Sequence, residues 1–148
     1  MKKIFLIGLL ALAGCSTTQQ KNLNDFLASP AGKAILNSVE TTALNAADSA
    51  LQQYAETGKV KGEKVAQASL SSVSQQLRGL QATKHAADPA AIHEAVQNGS
   101  ASPIVTKRVA PAVATAIAKA AKEGVPADAA NEAAARGLDK AAAKKKHH

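Results

Sequence analysis

Residues 30–57 read PAGKAILNSVETTALNAADSALQQYAET, a stretch with the pattern of one long amphipathic helix. Pro30 suits the first turn of a helix, and the Ser29 hydroxyl before it can cap the free N–H groups. Apolar residues then recur every three or four positions on one face. They are Leu36, Val39, Ala43, Leu44, Ala47, Leu51 and Tyr54. Gly58 follows and fits a helix end, so the sequence predicts a helix from Pro30 to about Thr57.

A second helix is predicted from about Gly62 to Thr83. Its apolar stripe has the same spacing and consists of Ala66, Leu70, Val73, Leu77 and Leu80. Two such stripes joined by a short link that contains glycine predict an antiparallel hairpin over residues 30–83. The stripes could as easily pair between two chains, so a helical homo-oligomer is a second interpretation.

Three further helices are predicted after His85, because prolines and glycines divide this part of the chain into segments. The segments are 89–99, 103–124 and the stretch from 126 toward the C-terminus. Pro111 lies inside the second of them, where it removes a backbone hydrogen bond, and we therefore expect a kink or a break near Arg108.

No strand-like alternation of β-branched residues occurs, so the predicted fold class is all-α: an alanine-rich helical hairpin followed by several helices that Pro and Gly delimit. The chain holds 35 alanines, and aromatic residues make up only 2% of it. Alanine is the best helix former but buries little area. We therefore expect helices in close contact rather than a thick core.

The chain begins MKKIFLIGLLALAGCSTTQQ, with two lysines followed by an apolar run. This is the plan of a secretory signal peptide, and the run is shorter than the ~20 residues that cross a bilayer. Its end, Leu12-Ala13-Gly14-Cys15, resembles the lipobox of bacterial lipoproteins. The resemblance implies cleavage between Gly14 and Cys15, diacylation of the Cys15 thiol, and acylation of the new amino terminus by a fatty acid such as palmitate.

The same resemblance implies a cellular location for the protein and a division of the chain into three parts. Ser16 after the cysteine implies the outer membrane, with the protein lipid-anchored and facing the periplasm; a Gram-positive host would place it on the outer face of the plasma membrane. Residues 1–14 are then the cleaved signal peptide. Residues 15–29 are the lipidated cysteine, a polar tether and a short helix, and residues 30–146 are a helical periplasmic domain with a basic tail.

Basic residues exceed acidic ones, with a formal net charge of +7. Export removes nucleic acid from reach, so we predict no nucleic-acid partner and favour the membrane and the acidic polymers of the envelope. The candidate contacts with an anionic surface are Lys140, Lys144, Lys145 and Lys146. A plain solvated helix end is the alternative, since cations suit the C-terminal pole of a helix. His147 and His148 complete the tail.

The sequence offers little for catalysis. Lipidation removes the only thiol, and the carboxylates Asp48, Glu56 and Glu63 fall on predicted polar faces. His85 and His93 are separated by Asp88-Pro89, and no three or four ligands converge as a zinc site needs. We therefore predict no catalytic residues, no metal, no cofactor and no enzymatic activity.

The sequence predicts a membrane-anchored lipoprotein that acts as a non-catalytic binding or scaffold protein of the envelope. Its partner would be peptidoglycan or an envelope protein. The hairpin would supply a rigid surface, and the C-terminal helices with the basic tail a second contact region. The alternative is a small inhibitor or immunity-type lipoprotein that binds a protein partner, and a weak enzyme is the third class considered.

Overall fold

The computed structural model describes residues 25–58 and 60–144 of the chain. Five long helices account for most of these residues: α1 (Pro30–Thr57), α2 (Val60–Leu80), α3 (Pro89–Gly99), α4 (Pro103–Lys122) and α5 (Ala127–Lys144). No strand occurs among the described residues, and the predicted all-α fold is confirmed. The predicted signal peptide and polar tether, which fall within residues 1–24, lie outside the described residues.

The chain divides into two compact units, Met1–Ala34 and Ile35–His148. In the first unit, residues 25–28 are helical, and Ser29 follows as the cap of α1. The Gly32 amide donates a hydrogen bond of 3.2 Å to the Ser29 hydroxyl, as the sequence predicts for an N-cap. The second unit contains the rest of α1 and the four other helices.

Several helices of the second unit begin or end at the residues that the sequence predicts. Asp88 accepts a hydrogen bond of 3.0 Å from the Ala90 amide at the start of α3, and Ser102 caps α4 in the same way. Gly58 and Gly124 have φ angles of 70° and 100°, and both follow helices. This left-handed conformation ends a helix and costs least at glycine.

Two local predictions differ from the structure. α2 runs from Val60 to Leu80 rather than from Gly62 to Thr83. It ends early because the amide and hydroxyl of Thr83 both donate to the Leu80 carbonyl, which closes a tight turn. Of the kink or break expected near Arg108, the break is wrong, since α4 is one helix with Pro111 inside it. Pro111 is exposed, as is Lys107 one turn before it; water can therefore satisfy the carbonyl that proline leaves without a donor.

Two pairs of neighbouring helices in the second unit are antiparallel. In α2 and α5, Ser74 lies beside Asp139 while Gln81 lies beside Glu132, so these helices are antiparallel. α1 and α4 are antiparallel as well, because Arg108 donates to Ser49 whereas Ile35 and Glu123 line one groove. Tyr54, near the end of α1, lies against Gly62 of α2, and its hydroxyl is 2.7 Å from that of Ser102 at the start of α4. α1 and α5 therefore end at the pole of the unit where α2 and α4 begin.

The predicted apolar stripes form the core. Residues from both stripes are fully buried, including Leu51, Leu70, Val73 and Leu77, and Val109, Val113 and Ile117 of α4 are buried as well. The core also contains the alanines of the last helix, which the sequence suggested as part of a contact region. Ala130, Ala133, Ala134, Ala135, Leu138 and Ala141 are all buried. α5 is therefore the central helix of the unit, and it packs on α1, α2 and α4.

Buried polar groups fasten α5 to the surrounding chain. Asn131 is completely buried, and its side-chain amide donates to the carbonyl oxygens of Ala86 at 2.7 Å and Ala127 at 3.0 Å. The first bond ties the segment between α2 and α3 to the first turns of α5. A buried amide placed in this way holds the segment between α2 and α3 against α5.

Candidate functional site

The residues that the sequence singled out are not gathered at one place. Gly14, Cys15, Lys145, Lys146 and the two terminal histidines lie outside the described residues. Lys144 is the last residue of α5. Lys140 is the one member of the predicted basic contact whose side chain is described, and its Nζ lies 2.6 Å from Oε2 of Glu40 on α1. Lys140 therefore links α5 to α1.

The two internal histidines are separate surface residues. His85 lies in the turn before α3, with its Nδ1 atom 3.8 Å from Oδ2 of Asp88. His93 is exposed on α3. Across residues 25–58 and 60–144, no three His, Cys, Asp or Glu side chains lie close enough together to hold a metal ion.

A polar cluster that the sequence did not predict joins α2 to α5. The Arg78 guanidinium lies between two carboxylates of α5, with Nη2 3.1 Å from Glu132 Oε2 and Nη1 2.9 Å from Asp139 Oδ2. Gln81 donates to Glu132 at 3.0 Å, and the Ser74 hydroxyl donates to Asp139 at 2.6 Å. The two carboxylates are seven residues apart and so lie on one stripe of α5.

The electrostatics of this cluster indicate a structural link. The hydrogen bonds from Arg78 lower the pKa of Glu132 below its ordinary 4.5, with help from Gln81 and Arg136 and against the opposing effect of burial. The same bonds raise the pKa of Arg78. A guanidinium that bridges two carboxylates holds them in a fixed geometry with bidentate bonds. The cluster therefore fastens α2 across the outer face of the central helix.

The lowered pKa of Glu132 predicts a pH dependence of stability. Its contribution is present above the unfolded pKa near 4.5 and is lost as the pH falls through the lower folded pKa. Glu132→Gln should therefore cost no more than about 1 kcal/mol at neutral pH, since the partners' side chains are about one-third exposed. The cost should shrink as the pH falls below about 4.5, measured by urea unfolding at several pH values.

A double-mutant comparison supplies the control for this prediction. In an Arg78→Met background, Glu132→Gln should change the free energy of unfolding much less, because the partner that lowers the pKa is gone. An equal cost in both backgrounds would show that Glu132 acts through another contact.

An open groove of about 440 Å³ lies between α1 and α4. Small residues of α4, such as Ala112 and Ala116, leave this space beside Ile35 and Val39 of α1. Hydroxyl and charged groups complete the lining: Ser38, Thr42, Thr115, Lys119 and Glu123. A groove with an apolar floor and polar edges can receive an apolar side chain of a partner. Sequence reasoning missed it, because it depends on how two helices distant in the chain diverge.

Comparisons with protein-family models, with curated proteins and with solved structures give no match for this chain. The described helices include none that combines the length and the apolar character needed to cross a membrane.

Proposed function

We propose that this protein is a lipid-anchored lipoprotein of the bacterial envelope that acts by non-catalytic binding or scaffolding in the periplasm. The observation that carries the proposal is Leu12-Ala13-Gly14-Cys15 at the end of the N-terminal apolar run. Ser16 after the cysteine favours the outer membrane as the place of anchorage. Peptidoglycan or another envelope protein would be the partner.

The fold supports a role in binding, because it presents its surface on a rigid frame. The central helix is packed closely through alanines, and a 2.6 Å ion pair and the Arg78 cluster hold its neighbours to it. Fixed helices lower the entropy lost when a partner binds. This frame holds its helices by packing and polar links, without a disulfide, since the only cysteine is the lipidation residue.

Cys15→Ala should abolish lipidation completely and leave a precursor that keeps residues 1–14. The thiol is the nucleophile that takes the lipid, and the peptidase of this pathway cleaves only after that step. The measurement is incorporation of labelled palmitate in growing cells, together with the mass of the purified chain. An anchor of two or more acyl chains is also needed for stable membrane binding, so the variant should lose the mature membrane-bound form.

Ser16→Ala is the matched control, because it changes the next residue and leaves the four residues of the box intact. It should be labelled and cleaved like the unaltered chain. Continued labelling of the Cys15→Ala variant would show that the lipid is attached elsewhere and would overturn the anchor.

A further inference from the structure

A second open groove, of about 420 Å³, lies between α2 and α3. One face of each helix lines it, because the residues on each side follow a spacing of three or four. The lining residues are Gln76, Gly79, Leu80 and Thr83 from the α2 side, His85 from the turn, and Ala91, Glu94, Ala95 and Asn98 from α3. We call this feature the α2–α3 groove.

Gly79 in this groove has no role in the packing of the chain itself. Every other glycine of the described residues has a reason within the fold. Two have positive φ angles, and at four a methyl group would collide with a neighbouring segment; they are Gly58, Gly124, Gly32, Gly62, Gly99 and Gly137. A methyl group at Gly79 would meet nothing within 4 Å. Glycine is unfavourable inside a helix, so this position suits the close approach of a group from outside the chain.

Polar side chains without partners stand on both sides of Gly79. The side chains of Gln76, Glu94 and Asn98 are exposed, and none of them has a hydrogen-bond or ion-pair partner among the described residues. Gln76 lies beside the end of α3, since its Cγ atom would be 3.1 Å from a methyl group at Gly99. Each amide offers two N–H donors and one carbonyl acceptor, and Glu94 adds a carboxylate.

The surface between these polar groups is apolar. It consists of the Gly79 backbone and the side chains of Leu80, Ala91 and Ala95. Ala95 is buried, and Leu80 and Ala91 are half-buried. A binding site for a small molecule typically combines an apolar surface with a few polar groups that fix the orientation of the ligand.

The charge of the groove disfavours an anionic ligand. Among the described residues that line it there is no lysine or arginine, and Glu94 is a carboxylate. A large protein interface is disfavoured as well, because such interfaces are anchored by large apolar or aromatic side chains. Val65 is the one large apolar side chain exposed among the described residues. It lies roughly 21 Å from Gly79 along α2 at 1.5 Å per residue.

We propose that the α2–α3 groove binds a saccharide that carries N-acetyl groups, and that its natural ligand is the glycan strand of peptidoglycan. The amides of Gln76 and Asn98 can each donate to and accept from an acetamido group, and Glu94 can accept from sugar hydroxyls. The acetamido methyl and the C–H face of the ring fit the open space at Gly79. The proposal rests on the proposed function, because a periplasmic location brings the glycan strand within reach.

The test measures binding of a tetramer of N-acetylglucosamine to the mature lipidated chain in mild detergent, from the shifts of backbone amide signals in NMR spectra. Gly79→Leu should raise the Kd at least about tenfold, because the new side chain would occupy the space that the ligand needs. Asn98→Ala should raise it at least about threefold through the loss of hydrogen bonds. Glycan strands freed of their peptides should bind through the same residues.

Two matched controls make the same chemical changes outside the groove. Ala68→Leu places leucine at another exposed position of α2, and Gln97→Ala removes the neighbouring amide of α3, which lines a separate groove. Each should change the Kd less than about twofold. Thermal unfolding followed by circular dichroism should show no loss of stability in Gly79→Leu, because leucine is the better helix former.

Four results would overturn the proposal. They are no binding of the tetramer, an unchanged Kd in Gly79→Leu, equal losses in a variant and its control, and binding of the tetramer without binding of glycan strands. Absence of saccharide binding with a photo-crosslink from position 79 to one envelope protein would assign the groove to a protein partner. Palmitate labelling of the same chain separates the two proposals, since a labelled chain that binds no saccharide overturns only this one.

Discussion

Replacing Gly137 with alanine should lower the free energy of unfolding by about 1–3 kcal/mol, although alanine is the better helix former. Gly137 lies in α5 where the helix crosses α1. A methyl group there would press on the carbonyl oxygen of Glu40 and lie 3.1 Å from the Ala43 methyl and the Leu44 amide nitrogen. The contact atoms are mostly backbone, so the two helices would have to separate. Urea unfolding followed by circular dichroism measures the loss.

Gly79→Ala is the matched control, because it makes the same chemical change inside another helix. Nothing lies within 4 Å of a methyl group at Gly79. Only the higher helix propensity of alanine acts there, and it should stabilise the protein by up to about 1 kcal/mol. Two variants that shift stability in the same direction would contradict the role of Gly137 as a close contact.

The helices could be predicted from the sequence because their signals are local. Pro89 and Pro103 open helices as expected, and Gly58 ends one, since each acts through its own backbone. The buried stripes were predictable for a similar reason, because the spacing of Leu70, Val73 and Leu77 fixes one face of a helix. The break expected near Pro111 was wrong because the effect of a proline depends on its exposure, which the sequence does not state.

The position of α5 could not be predicted in this way. Its alanines bury little area each, so they give a weaker hydrophobic pattern than a leucine stripe, although they fill the centre of the unit. The helix can lie at the centre because its side chains are small, which lets α1 approach the backbone at Gly137. Close approach is a relation between two segments about 100 residues apart, and no local spacing reports it.

The candidate sites show the same difference between local sequence signals and contacts between distant segments. The motif that resembles a lipobox is continuous in the sequence, whereas Arg78, Glu132 and Asp139 meet only after α2 and α5 pack.

Leu138→Ala should cost about 3 kcal/mol. Leu138 has no exposed surface and is the largest apolar side chain on α5. Its removal would leave a cavity in the middle of the unit, lined by helices that other contacts hold in place. Domains of this kind are stable by only about 5–15 kcal/mol, so the loss should be visible as a lower urea midpoint with an unchanged slope.

Val65→Ala supplies the comparison, since it also shortens an apolar side chain on a helix. Val65 is 43% exposed, and a surface change of this kind should stay within about 0.5 kcal/mol. A small effect at both positions would mean that the bundle collapses around the space at Leu138. The alanine-rich centre would then be a loose packing of helices rather than the rigid frame that the proposed binding role requires.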